Sequence, residues 1–438
     1  MSDDASVADL RERLVAQVMV TSGIRDERIA AALRDVPRHL FLPHLPPEEA
    51  YLDDAIVTKR DAEGQPISSS SQPAIMAIML DQLDLAPGYR VLEIGAGTGY
   101  NAALIRHIVG PSGTVVSVDI EADLVERARG HLASAGYPDV TVVAADGAEG
   151  YPPGAPYDRV IATVGVSDLA PAWLHQAGPG ARIVVPLDVR GSQLAVAFER
   201  AGPAEADRGG HWVSRSIAPC GFMRMRGSLA GPERIVVLQP GLSVMLPDGL
   251  TLADGQEVDG AALAAFLDGP PAELATGVRT SSPRVFWGLG LWLAAGDRRS
   301  CAVVEELPAS PSGREDGAAA AARLTRTPLR LRGMLATAGI VDSGGIAVLT
   351  TDQATTVVDG RAGQLTLEVA GFGPHGAQLG AALAAHVQAW DRAGQPGAAR
   401  LQVDAYPRSS PDEPAPSSPT SNALLIERPA TRFMVYQT

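Results

Sequence analysis

The sequence predicts an α/β fold built on a doubly wound parallel sheet, followed by an α+β unit. Three observations in the first half carry this reading. The run Val91-Leu92-Glu93-Ile94 is a strand that ends in the glycine-rich turn Gly95-Ala96-Gly97-Thr98-Gly99. Four further apolar runs read as strands: Val115 to Asp119, Val140 to Ala144, Tyr157 to Val164 and Ala181 to Leu187. Helical stretches separate them, notably Ala122 to Ser134. Strands alternating with helices imply a parallel sheet whose ligands lie at the carboxyl ends of the strands.

The turn is the most informative element. Glycine at alternate positions permits positive φ and close approach of a ligand to the main chain. Asp119 ends the second strand 22 residues after Gly97, where folds of this kind use an acid to hold ribose hydroxyls. The third strand ends in Asp146-Gly147, at the adenine edge of the same crevice. The spacing is G-x-G-x-G and not the G-x-G-x-x-G that seats a pyrophosphate on a helix N-terminus. Glu93, two residues before the first glycine, would repel a pyrophosphate. It suits a cationic ligand, and S-adenosylmethionine carries an ammonium and a sulfonium. An ordinary tight turn between strand and helix is the alternative reading.

Upstream, Gly64-Gln65-Pro66-Ile67-Ser68 and Ser71-Gln72-Pro73 resemble the G-Q-T-I-S-Q-P segment of protein-L-isoaspartate O-methyltransferases. Val36-Pro37-Arg38-His39-Leu40-Phe41-Leu42-Pro43 resembles another segment of that family. With the Glu93 loop, Asp119, Asp146-Gly147 and the Tyr157-Asp158 strand, the resemblance extends from about residue 5 to 227. It implies a class I methyltransferase (Rossmann-like) domain with S-adenosyl-L-methionine as cofactor. Carried over position by position, Glu93, Gly95, Gly97, Thr98, Gly99, Asp119, Ile120, Asp146 and Gly147 would bind the donor.

The departures fall in the acceptor segment. Pro66 replaces the family's threonine, and extra serines produce Ser68-Ser69-Ser70-Ser71. The family's active-site hydroxyl falls on Ser68 counted from the left, or on Ser71 counted from the right. Ser71 is favoured, because Gln72-Pro73 should open the helix Ala74 to Leu83 and fix the register. Ser69 would help to orient the acceptor, and Ser70 would touch it. Alternatively Ser70 or Ser71 simply caps that helix. Arg224 and Arg226, in a segment expected to be a strand near the acceptor, match carboxylate geometry, with surface arginine as the alternative. Gly165-Val166-Ser167-Asp168 also departs from the family pattern, which implies an altered pocket. A carboxylate acceptor needs no general base, so catalysis reduces to positioning and desolvation.

At 438 residues the chain exceeds such a catalytic domain about twofold. A boundary near Gly227 to Pro232 divides it into 1–230, the methyltransferase domain, and 231–438, an α+β extension. Strands are expected at Arg234 to Leu238, Ala302 to Val304, Gly345 to Thr350, Asn422 to Arg428 and Arg432 to Tyr436, and a helix at Gly376 to Ala393. Catalytic half plus extension resembles actinobacterial methyltransferases of ribosomal peptide (lanthipeptide/graspetide-type) biosynthesis. That resemblance implies methylation of one aspartate in a precursor peptide, cyclisation of the ester to aspartimide, and opening to isoaspartate. The alternatives are a generic isoaspartate repair enzyme with an appended domain, and a non-catalytic cofactor- or peptide-binding module.

Composition excludes other classes. The formal charge is −14 with no basic run, which argues against nucleic-acid partners. No apolar run reaches the length of a membrane span, and the acidic start lacks the basic and apolar parts of a signal peptide, so a cytoplasmic enzyme is expected. Cys220 and Cys301 are expected to be free thiols. The eight histidines show no metal-ligand spacing, and His107 and His131 read as helix packing. Gly371 to Gly376 lacks the Lys-Ser/Thr of a phosphate loop and reads as a turn. Phe286, Trp287 and Trp292 read as core, with a peptide groove as the alternative. Ala309 to Gly317 and Arg408 to Ser421 read as exposed loops.

Overall fold

The computed structural model describes residues 2–62, 64–202, 211–232, 234–247, 249–306, 329–331, 334–351, 365–408 and 423–437. Helices α1 (Ser2–Ser22), α2 (Glu27–Asp35) and the single turn α3 (Pro47–Ala50) lead into a hairpin, β1 (Ile56–Arg60) and β2 (Pro66–Ser70). After α4 (Pro73–Leu83) the expected alternation follows. It runs β3 (Arg90–Ile94), α5 (Tyr100–Val109), β4 (Thr114–Asp119), α6 (Ala122–Ser134), β5 (Thr141–Ala144), β6 (Tyr157–Ala162), α7 (Pro171–Gln176), β7 (Ala177–Val189). Strand β8 (Ser192–Arg200) then adds antiparallel to β7, and β9 (Trp212–Pro219) antiparallel to β8. The strands β5-β4-β3-β6-β7 are parallel. The order switches direction between β3 and β6, which opens a crevice at their carboxyl ends.

The apolar runs form strands because both faces of this sheet are covered. In β3, Val91 joins a core with α1, α2, α4, α5 and α6, while Leu92 and Ile94 join a second core on the opposite face. That second face carries α7 with Trp173 fully buried.

What else covers it corrects the expected division of the chain. After β9 come β10 (Ile235–Gln239), β11 (Leu242–Met245), α8 (Gly260–Leu267), β12 (Ala272–Thr280), β13 (Ser300–Glu306), β14 (Leu329–Leu331), β15 (Met334–Asp342), β16 (Gly345–Thr351) and β17 (Leu365–Phe372). These strands make a second, antiparallel sheet in the order β10-β11-β13-β15-β16-β17-β12 with β14 on β15, and the helix Gly376–Arg392 packs on it. The last three strands, β18 (Leu401–Pro407), β19 (Leu424–Glu427) and β20 (Thr431–Gln437), return to the first sheet. Asp404 and Ala405 pair with Val213 and Trp212 of β9. Val403, Ala405, Ile426, Phe433 and Val435 fill the second core, with the Phe198 and Phe433 rings 6.5 Å apart. The extension 231–438 is therefore one sheet-bearing insert, about 231–400, followed by three strands that complete the first sheet.

Polar bonds fix the two sheets together. Arg234 is 3% exposed and pairs with Asp188 at the end of β7 at 2.6 Å. Arg190 donates to the Ala294 carbonyl at 2.9 Å. Asp168 is turned towards the C-terminal strands and accepts the Ala430 N–H at 2.7 Å, so this departure from the family pattern anchors β20.

Other expectations are met or corrected locally. Cys220 and Cys301 are buried free thiols. The segment Cys220 to Arg226 is no strand; it is fixed to the body by Gly165, which donates to the Met223 carbonyl and accepts from the Met225 N–H at 2.8 Å each, and by Gln193, which bonds both backbone groups of Phe222. Of Gly371 to Gly376, only Gly373 to His375 is turn, between the end of β17 and the last long helix, with Gly373 at φ +83°. Trp292 packs against the core of the second sheet, whereas the Phe286 side chain lies outside the described residues. The expected loops 309–317 and, but for Arg408, 408–421 also lie outside them. No described helix is long and apolar enough to cross a membrane.

Removing everything after about residue 230 would uncover one apolar face of the first sheet and the edge of β9. Such exposure promotes association. A chain ending there is expected to aggregate, eluting in the void volume of a sizing column. Monomeric, cooperatively unfolding protein would show that the C-terminal strands are dispensable.

Candidate active site

The carboxyl ends of β3, β4 and β6 open into one cleft that encloses about 880 Å³ of atom-free space, its open mouth included. Its floor is the loop Gly95 to Thr98 with Asp119 and Ile120. One wall is Ile67 to Ser71 and the other Phe222 to Arg226. Gly95 has φ +101°, and a Cβ there would stand 2.6 Å from Thr163 Oγ1, so glycine is required. Gly99 does not line the cleft and instead lets α6 approach the loop, a Cβ there meeting the Ala128 carbonyl at 3.3 Å.

Three acids fix this floor in different ways. Asp119 accepts the Gly97 N–H at 2.9 Å and the Glu121 N–H at 3.1 Å, which ties the turn to the end of β4. Its carboxylate still faces the cleft. Asp146 lies behind Gly147 and accepts the N–H groups of Ala148 at 2.9 Å and Ser228 at 2.8 Å. Burial raises its pKa, but these backbone donors outweigh burial and hold it below the usual carboxylate range. Glu93 is fully buried beneath the loop and does not line the cleft. It accepts from Asn101 Nδ2 at 2.8 Å and Ser117 Oγ at 2.5 Å. Burial pushes its carboxyl up to about 7 despite both bonds.

The serines sit on the hairpin that forms the opposite wall. All four line the cleft. Ser68 and Ser70 are the buried pair of β2, and Ser69 lies between them on the other face. Ser68 Oγ accepts from Thr58 at 3.1 Å and would stand 3.9 Å from a Gly97 Cβ. The Ser70 hydroxyl is buried without a hydrogen-bond partner. Ser71 follows the strand, its carbonyl taken by Arg38 at 3.1 Å. Neither Ser70 nor Ser71 caps α4: Gln72 occupies the cap position, and Asp53 accepts the Ala74 N–H at 2.8 Å.

The two arginines separate. Arg226 is committed to Glu121 at 2.7 Å. Arg224 donates to the Pro232 carbonyl at 2.5 Å, and no carboxylate pairs with it among the described residues.

Several residues that shape the cleft were not singled out from sequence. Arg38 is fully buried and donates to the carbonyls of Ala50 at 2.9 Å, Asp54 at 3.2 Å and Ser71. Its guanidinium lies 5.3 Å from the centre of the Tyr100 ring. An arginine between proline and apolar residues was the available signal. Thr163 Oγ1 donates to the Gly95 carbonyl at 2.6 Å. His131, expected to be mere helix packing, has Nδ1 3.0 Å from the Thr98 carbonyl. Lys59 is the chain's single lysine and stands at the cleft mouth, paired with Glu121 and Asp123.

The donor set fits one class of ligand. A close-approach backbone, an acid at the end of β4 and the apolar sides of Ile120, Leu124 and Met225 suit a nucleoside with a charged tail. Comparison with known proteins decides the matter. A family profile described as protein-L-isoaspartate(D-aspartate) O-methyltransferase (PCMT) matches residues 9–209. The protein-L-isoaspartate O-methyltransferase of Methanopyrus kandleri is 40% identical over 210 residues, 48% of this chain and 90% of that protein. The chain belongs to this family. The namesake from Methanoculleus marisnigri is 41% identical over 196 residues, 44% of this chain and 85% of its own length. A solved protein-L-isoaspartate O-methyltransferase superposes with a TM-score of 0.47 at 23% identity, covering 90% of this chain and 96% of that one. The chain is an S-adenosylmethionine-dependent carboxyl O-methyltransferase with the class I fold, carrying an additional sheet-rich region.

Two substitutions test the floor of the cleft. Asp119→Ala is expected to weaken binding of S-adenosylmethionine by about 1–3 kcal/mol, the cost of unpairing buried polar groups. Unchanged affinity by calorimetry would remove Asp119 from the site. For Glu93, the folded pKa of about 7 lies above its ordinary value of 4.5, so the folded state binds the proton more tightly. Its stabilising effect is full below about pH 4.5 and is lost as pH rises through 7. Glu93→Gln should therefore gain thermal stability relative to the parent as pH is raised from 5 to 7.5, starting from near parity. A pH-independent difference would contradict a buried, proton-holding Glu93.

Proposed function

We propose that the protein methylates isoaspartyl carboxylates of damaged proteins and peptides, the repair activity. The observation that carries this reading is coverage: the first half of the chain holds nearly the whole length of the Methanopyrus kandleri relative and frames one cleft with it. Bound S-adenosylmethionine supplies an activated methyl group. This chain's residues supply placement. Asp119 and the loop Gly95 to Thr98 would hold the donor, with Asp146 and Glu93 bracing the loop from behind. The serine wall faces that floor, with the Ser69 carbonyl and the Ser68 hydroxyl nearest Gly97 and the Ser70 hydroxyl buried and unpartnered behind them. Ser69 and Ser71 border the same opening. Arg224, without a carboxylate partner among the described residues, is the cation best placed to draw an acceptor carboxylate in.

The narrower reading, methylation of one aspartate in a ribosomally made precursor peptide, rests on the extension. Its last three strands already have a task, extending the first sheet at β9 and filling its second core. The extension therefore does not by itself call for a dedicated peptide partner.

Incubation with S-adenosylmethionine and a matched pair of peptides, one isoaspartyl and one aspartyl, distinguishes the two. Mass spectrometry is expected to show one added methylene on the isoaspartyl peptide and none on its partner. Arg224→Ala should raise KM for that peptide about tenfold while leaving donor affinity unchanged, as for loss of one charge-assisted contact. Methylation of the aspartyl peptide alone would refute the repair reading.

A further inference from the structure

Three walls of the cleft converge on a single carboxylate, Glu121. Lys59, on β1 of the serine hairpin, pairs with Glu121 Oε2 and reaches Asp123 at 2.5 Å. Arg226, at the end of the opposite wall, takes Glu121 Oε1 at 2.7 Å. The backbone of Glu121 in turn donates to Asp119, the acid of the floor. One residue thus bridges hairpin, floor and far wall, using a different atom for each. The β1–β2 hairpin forms a sheet of its own, outside both large sheets, so ladder bonds do not fix it to the body. Hydrogen bonding to Asp123 and Glu121 raises the Lys59 pKa, and Lys59 and Arg226 lower that of Glu121, so Lys59 and Glu121 stay charged near neutral pH.

We infer that Lys59 and Arg226, drawn onto Glu121, form an ionic latch that fastens the serine hairpin across the cleft mouth to the 222–226 wall, itself fixed by the backbone of Gly165, and sets how fast the methyl donor and its product leave. The latch residues are positioning residues. They brace the two walls between which donor and acceptor must meet, and small misplacements there are costly. The pairs are partly exposed, so salt weakens them, whereas it leaves the floor's backbone bonds to Asp119 largely intact.

That difference supplies the test. Release of S-adenosylhomocysteine from the full-length protein is followed by stopped flow, with affinity by calorimetry, at about 50 mM and about 500 mM salt, spanning weak to strong screening. Release from the parent is expected to quicken about tenfold at high salt, the scale of a small partly shielded ion network. Lys59→Met and Glu121→Gln should release quickly at both salt concentrations. Lys59→Arg, which keeps the charge, should restore slow, salt-sensitive release. Lys59→Met that releases as slowly as the parent and keeps its salt response would overturn the latch. A parent protein that binds no S-adenosylhomocysteine at either salt would overturn both the latch and the donor assignment beneath it.

Discussion

A doubly wound sheet is apolar on both faces, and each face must be covered before any site at its strand ends can be held still. One face here is covered in the usual way, by α1, α2, α4, α5 and α6. The other carries α7 and shares its core with strands that join the sheet at β9 after an insert of some 170 residues bearing a second sheet. Burial of side chains such as Phe433, Val435 and Ile426 is worth about 1.5–3 kcal/mol each. Those strands also extend the sheet beyond β9, which would otherwise present unpaired backbone at its start. The chain therefore returns because the first sheet is incomplete without it. The insert is pinned at the β7–β8 turn by Arg190 and the buried Arg234–Asp188 pair.

Within the cleft the same economy of buried polar groups decides what is rigid. Arg38 has lost all contact with water, and an unpaired buried cation is costly. It is accommodated by three carbonyl oxygens and the face of Tyr100. Those partners come from the chain before the hairpin, from the residue after it and from the first turn of α5. The guanidinium fork therefore fixes the base of the serine wall relative to the helix that follows the glycine loop. A lysine could not bridge all three in that plane. Asp53 does the complementary work, capping α4 and accepting from Gln72 Nε2 at 3.3 Å, which is why no serine is needed as the cap.

Much of this was legible in the sequence, and the parts that were not share a cause. Ala122–Ser134 and the helix starting at Gly376 were readable because periodicity and end signals are local. The strands β3 to β7 were readable as apolar runs between helices. The role of β18 and β20 was not, because an alternating strand does not reveal whether its partner lies nearby or, as with Asp404 and Val213, nearly 200 residues away. The extension consequently read as a separate unit. Strand β12 escaped notice because Gly277, at φ +75°, interrupts its pattern where the ladder to β17 slips. Among site residues, the loop and its acids were visible through spacing. Arg38, Thr163 and His131 were not, since each acts on a backbone carbonyl and a carbonyl has no sequence signature.

The site therefore combines two kinds of attachment with different responses. Its floor is held by acids that accept backbone N–H groups or buried side-chain donors, bonds shielded from salt. Its mouth is held by ion pairs among Lys59, Arg226, Glu121 and Asp123, which are partly wet. A transferase that needs no general base gains chiefly from how well two partners are aligned and kept from water. A rigid floor serves alignment of the donor. A wall fastened by charges at its rim serves exclusion of water while remaining separable, because partly exposed ion pairs are individually weak. Glu121 links the two, its main chain belonging to the floor and its carboxylate to the rim.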